Sequence, residues 1–288
     1  ELDATTYSFM YGDVLFLVYS LQDYWKGTYS LSSCTSTYLT NDVGNWFREQ
    51  VEAHPEAKWR IALVHKNIFS GSGHQEDEET PLFRATMLPI MKECEIDVML
   101  QGHDHCYEII GPVDPDTRTP ILSAIEGVED VPVNMVNNMT GKKGGTFTTN
   151  DGTLYFIGAT CGTKRYQPNH KLTMEADYEK HKVENYYDLF TGMFGQPGRP
   201  SFSTFTVDGN TITVNSYKVY EGMDPMLFNT FYIKRTKEHG ASISLKDIIQ
   251  QRGAAKIIYN GNMYILREDI AYNALGQVVA EEDILSKL

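Results

Sequence analysis

The sequence predicts a mixed α/β (α+β) fold ending in a small C-terminal β-meander, and three observations carry that reading. Two short apolar runs, residues 61–64 and 96–100, are bounded by polar loops, as buried strands of a parallel sheet are. Between them, residues 80–95 read as a helix: Thr80 suits the N-cap, Pro81 the first helical position, and Leu82, Leu88, Met91 and Glu95 follow helical spacing. From Lys256 onward, short β-prone runs alternate with turn residues such as Asn260-Gly261. A strand–helix–strand unit crosses over right-handed, so both strands end at one sheet edge. That is the edge where α/β proteins bind ligands.

The remaining elements follow in chain order. Residues 7–19 alternate as a hairpin turning at Gly12-Asp13, and 25–38 form a Ser/Thr/Tyr-rich loop. Residues 41–53 place Val43, Trp46, Phe47 and Val51 on one helical face and stop at His54-Pro55. The acidic run Gln75-Glu76-Asp77-Glu78-Glu79 reads as a solvated loop first and as metal ligands only second. Residues 120–126 and 153–158 read as strands flanking an insert whose 140–150 stretch, with paired lysines and glycines, reads as a mobile loop. Residues 171–190 carry a mixed helical pattern. Residues 203–207 and 211–220 form a hairpin about Asp208-Gly209-Asn210. Residues 221–240 show no clear period and read as part of a strap between domains.

Both central strands deliver histidine to the rim. His65 directly follows the first apolar run, and His103 and His105 follow the second. On an extended segment, residues two apart point the same way, so His103 and His105 can face one centre or two adjacent ones. Neutral imidazole suits zinc, iron and manganese. Gly102 lets the backbone turn where a side chain would block approach. A His-x-His pair alone also fits a polar loop with a hydrogen-bonded histidine. The placement of His65 by the same unit favours a metal site.

The motifs Ala62-Leu63-Val64-His65, then His74 in Ser70-Gly71-Ser72-Gly73-His74, then Gly102-His103-Asp104-His105 with Tyr107, resemble the later motifs of the calcineurin-like metallophosphoesterases, closest to the purple acid phosphatase branch. The resemblance implies the second half of a four-layer αββα sandwich over residues 1–220. It implies a dinuclear centre of divalent or iron-plus-divalent ions (zinc, iron or manganese), in which His65 and His103 bind one ion and His105 its neighbour. It also implies that His74 faces a phosphate ester as the catalytic histidine. A linker over 221–255 and the meander over 256–288 complete the expected organisation. The meander resembles the small tail sheets of secreted bacterial proteins, which implies a secreted, periplasmic or cell-surface location.

The family's early motifs, which supply the bridging carboxylate and an Asn ligand, have only decoys here. Gly12-Asp13 belongs to the hairpin turn, and Gly44-Asn45-Trp46 has Trp where His is needed. The chain therefore resembles the C-terminal part of such an enzyme. By itself it is expected to hold metal weakly, hydrolyse almost nothing, and pair with the missing N-terminal half or self-associate. A net charge of −13 disfavours nucleic acid as a main partner. A hydrophobic fraction of 41% and 18 tyrosines exclude bulk disorder, and no apolar run is long enough to span a membrane. Cys34, Cys94, Cys106 and Cys161 lack zinc-site spacing; Cys94 and Cys106 read as packed thiols. Two other function classes fit parts of the pattern: a non-catalytic binding module with a degenerate site, and a different His-x-His metal hydrolase, which would need later Asp or His ligands.

Overall fold

A computed structural model describes residues 5–21, 38–77, 79–130, 142–167 and 189–240, together with the strands lying between 255 and 279. The chain divides into two compact units after Thr236. The first unit opens with β1 (Tyr7–Tyr11) and β2 (Val14–Val18), the expected hairpin. A wide π-type turn over Tyr38–Val43 leads into α1 (Gly44–Ala53), which stops before Pro55 as expected. Then come β3 (Trp59–Leu63), α2 (Thr80–Glu93) and β4 (Val98–Leu100). Thr80 is not the cap: its hydroxyl donates to the His74 carbonyl at 3.2 Å, so it ties the helix start to the preceding loop.

The regular elements that follow in this unit are, among the described residues, strands apart from one 3₁₀ turn: β5 (Tyr107–Asp114), β6 (Thr119–Pro120), β7 (Ile125–Asp130), β8 (Lys142–Thr148), β9 (Thr153–Gly158), β10 (Phe194–Gly195), β11 (Ser201–Asp208), β12 (Thr211–Lys218) and β13 (Met226–Lys234). The large sheet runs β1-β2-β3-β4-β9-β5-β10 with β6 on β5, and the second sheet runs β11-β12-β13-β8-β7. Strands β2, β3, β4 and β9 are parallel, with Ile61 opposite Val98. Both strands of the central unit therefore end at one edge.

Strand alternation explains the layering. Leu15, Leu17, Ala62 and Met99 face the helices, packing with Phe47, Phe83 and Met87. Their neighbours Val14, Trp59, Ile61 and Val98 face the second sheet, packing with Phe147, Ile212, Phe231 and Ile233. Between the sheets, Tyr107 shares its hydroxyl with Ser216 Oγ (2.8 Å) and accepts from Asn229 Nδ2 (3.0 Å). Tyr107→Phe strips both partners of a buried bond. It is expected to lower stability by about 1–3 kcal/mol in chemical denaturation, with the unfolding slope unchanged.

Three expectations change. The strand read at 120–126 is instead β6, a short 3₁₀ turn at Leu122–Ala124, and then β7. The loop read at 140–150 contains β8, whose Gly144 and Gly145 hold positive φ inside the strand while Thr146, Phe147 and Thr148 pair in parallel with β13. The strap read over 221–255 contains β13, which buries Asn229, Phe231 and Ile233 on alternate positions. Asn229 hid that period, because a buried Asn is tolerated only through the long-range bonds it makes. Most of 25–38 and of 171–190 lies outside the described residues. In the second unit, β14 (Ala255–Tyr259), β15 (Asn262–Arg267), β16 (Ile270–Asn273) and β17 (Val278–Val279) form an antiparallel meander. No described helix is long and apolar enough to cross a membrane.

Candidate metal centre

The edge reached by β3 and β4 carries the histidines. Past the strand ends the backbone ladder continues, Val64 N donating to Leu100 O (3.0 Å) and Gly102 N to His65 O (3.1 Å). A side chain at Gly102 would place its Cβ 3.2 Å from that same His65 carbonyl, so glycine permits the close approach. His103 follows in the left-handed region at φ +70°, a conformation that L-residues with side chains adopt at some cost and that clusters at functional sites. This turn also overturns the extended His-x-His geometry: β4 has ended at Leu100, and His103 and His105 point to different partners.

His103 Nδ1 lies 3.2 Å from His65 Nε2. Its ring lies tilted at 32° against His74, with centroids 3.6 Å apart. His103 Nε2 faces Asp77 Oδ2 at 3.7 Å, and His74 Nδ1 lies 3.1 Å from that same oxygen. His74, Asp77 and His103 thus offer three ligand atoms within 4.8 Å of one another. His105 stands apart from this triad: its Nδ1 donates to the Lys164 carbonyl at 3.0 Å, and its ring stacks on Tyr166. A cleft of about 570 Å³ opens at the ends of β2, β3 and β4, lined among others by Tyr19, Ser20, Lys66, His65 and His103.

Burial pushes the His103 imidazolium down to about 4, with the neighbouring His74, His65 and Lys66 adding to it and Asp77 opposing. Burial, then His105, Lys66 and His74, likewise lowers His65. Both rings are neutral at pH 7 and keep a lone pair for a cation.

The His74 loop is templated from below by buried polar side chains. Gln101 Oε1 accepts from Ile68 N (2.6 Å), and its amide donates to Phe69 O (3.0 Å). Asp104 is fully buried and accepts from Asn67 Nδ2 (3.2 Å), His74 N (3.3 Å) and the Ser70 hydroxyl. Glu108, also fully buried, accepts from Gly71 N (3.1 Å) and approaches Ser70 Oγ at 3.2 Å. Burial, and then the Asp104 charge, pushes Glu108 up to about 8, so it carries a proton at neutral pH. Gly71 is required by space: a Cβ there would meet the Phe194 ring at 2.4 Å.

No protein-family model matches the chain. Among curated proteins, purple acid phosphatase 3 of Arabidopsis thaliana is 37% identical over 85 residues, covering 28% of this chain and 21% of that protein. Purple acid phosphatase 4 of the same plant is 33% identical over 99 residues, covering 34% and 26%. Part of this chain is purple acid phosphatase-like. The matches are partial, the chain spanning 21% and 26% of the length of these two relatives. Among solved structures, purple acid phosphatase PPD1 from yellow lupin seeds aligns at a TM-score of 0.48 and 16% identity, over 80% of this chain and 32% of that one. GAP50, the anchor in the inner membrane complex of Plasmodium, aligns at 0.43 and 13%, over 81% and 54%.

The donor set at this rim fits a divalent cation. Two ligands on one tetrahedral zinc, each about 2.1 Å from it, lie about 3.4 Å apart, close to the 3.2 Å between His65 and His103. His105 donates one ring N–H to a backbone carbonyl, the arrangement that fixes the tautomer of metal-binding histidines and leaves the other nitrogen free. Sequence reasoning placed a solvated loop ahead of metal ligation for the run containing Asp77, and it missed the Asp104–Glu108 pair, whose partners are all remote in sequence. Glu76 and Glu78 give no side-chain placement to compare. Lys164 and Arg165 are exposed, in keeping with ordinary surface charge. Cys94 and Cys106 are buried free thiols, as expected.

Proposed function

We propose that the rim serves metal-dependent hydrolysis of a phosphate ester, with His65 and His103 holding one ion, His105 its neighbour, and His74 facing the phosphate. The observation that carries this reading is the 3.2 Å approach of the His65 and His103 ring nitrogens at the ends of adjacent parallel strands. Bound ions at such a site supply charge that polarises a phosphoryl oxygen and acidifies water.

The chain's own residues do the rest. Asp77 takes the Nδ1 hydrogen of His74, which orients the ring, and Asp104 accepts from the His74 backbone N–H, which holds the loop beneath it. In the protonated ring, Nε2–H then donates to a phosphate oxygen as negative charge builds, or hands its proton to the leaving oxygen. Gln101, Asp104 and Glu108 hold the loop so that this donor does not wander. Two like-charged ions held together would need an anion between them; the motifs expected to supply a carboxylate are represented in this sequence only by Gly12-Asp13 and Gly44-Asn45-Trp46, so residues 1–288 alone are read as an incomplete centre.

The test is release of phosphate from a generic aryl phosphate. The full-length protein is expected to lose turnover on chelation and regain it with zinc, iron or manganese, whereas residues 1–288 alone stay at background. Turnover by residues 1–288 at ordinary enzyme rates of about 1–1000 per second would overturn the incomplete-centre reading. Absence of metal-dependent turnover in the full-length protein would overturn the function.

A further inference from the structure

We propose that Asp77, His74 and His103 form a separate cation position, on the opposite nitrogen of His103 from the one facing His65, and that the two positions compete for that ring. The donor atoms suit one ion. His74 Nδ1 and His103 Nε2 lie 3.1 and 3.7 Å from Asp77 Oδ2, bracketing the separation of about 3.4 Å between ligands of a tetrahedral ion at 2.1 Å. All three side chains are partly exposed, at 29%, 31% and 24%, so water can complete the coordination. A carboxylate with two neutral imidazoles is a donor set for zinc or a similar borderline divalent ion.

The turn that builds the position is local. Gly73–Glu76 make a 3₁₀ turn, and Asp77 N bonds back to His74 O at 3.3 Å, which returns the Asp77 side chain to the His74 ring. His103 then arrives from the end of β4. Lys66 Nζ, 3.9 Å from Asp77 Oδ2, opposes a cation there, but its stronger partner is Glu79.

Competition follows from the imidazole itself. A neutral ring carries one lone pair and one N–H. Binding an ion through Nε2 leaves the hydrogen on Nδ1, where it donates to His65 Nε2 at 3.2 Å and engages the lone pair His65 would offer a metal. Binding through Nδ1 does the converse. His103 therefore serves one position at a time, and Asp77 is the residue that favours the second. The binding claim stands on these distances alone; the claim that the position draws an ion away from the catalytic arrangement rests on the proposed function.

Zinc titration of metal-stripped residues 1–288, followed by calorimetry and by the absorption of cobalt as a substitute ion, separates the possibilities. Wild type is expected to bind one ion, Asp77→Asn to weaken it at least tenfold, and His65→Ala to retain wild-type affinity. Asp77 is partly exposed, so its variant should keep the fold, which circular dichroism verifies. Wild-type affinity in Asp77→Asn overturns the proposal, as does loss of binding in His65→Ala with Asp77→Asn unaffected; that second result would leave the His65–His103 ion of the proposed function standing. Loss in Asp77→Asn together with a full-length protein lacking phosphatase activity would sustain this position and remove the proposed function.

Discussion

Alanine at His74 is expected to slow phosphate-ester turnover of the full-length protein by about 10²–10⁴-fold, the usual contribution of a positioned acid or base. The ion proposed to be shared by His65 and His103 should remain, because His74 is not among its proposed ligands. His103→Ala should lower both turnover and metal content. The difference follows from the backbone: His74 sits on a loop held by Asp104, whereas His103 sits at the strand end against His65. Metal analysis beside steady-state kinetics checks this. Equal loss of the catalytic ions in both variants would make His74 a ligand of the reacting centre rather than a donor to substrate.

The second large effect concerns stability against pH. Glu108 is pushed from 4.5 up to about 8 by burial and by Asp104, with Gly71 N and the Ser70 hydroxyl opposing; Cys106 is the other titratable group facing it. The folded chain keeps this proton over a range where the unfolded chain has lost it. The folded state thus binds more protons there, and stability falls as pH rises from about 4.5 to about 8, then levels. His103, lowered to about 4, contributes the opposite slope, with stability gained as pH rises from about 4 to about 6.5. The Glu108 effect is therefore cleanest above about pH 7, where His103 is neutral whether folded or unfolded. Each pH unit of such a slope is worth about 1.4 kcal/mol. Glu108→Gln mimics the protonated carboxyl and is expected to flatten the fall between about pH 7 and 8 and to be the more stable form at the top of that range. Identical slopes in denaturant titrations of the two proteins would show that Glu108 is ionised in the fold.

What was legible in the sequence was whatever a local period could carry. The runs ending at His65 and before His103 announced strands because both faces are buried, and the hairpins at Gly12 and Gly209 announced themselves through turn residues. The histidine rim followed from those strands. What was not legible depends on partners remote in sequence. Asn229 looks out of place in a strand until Tyr107 and Gly144 reach it. Gly144 and Gly145 look like a loop until β7 and β13 flank them. Asp77 lies in a run of five polar residues whose composition predicts solvent, yet a single 3₁₀ turn brings it to two histidines. The extended geometry assumed for His103 and His105 failed because the chain leaves the strand at Leu100 and turns left-handed at His103.

The most direct measurement is an anomalous difference map from crystals of the full-length protein soaked with zinc or manganese and a phosphate analogue. The predicted result is an ion about 2.0–2.2 Å from His103 and His65 nitrogens, with a second beside His105 and the analogue's oxygens within reach of His74. An analogue bound elsewhere, or no ion within coordination distance of His103, would contradict the assignment of this rim as a metal-dependent phosphoesterase site.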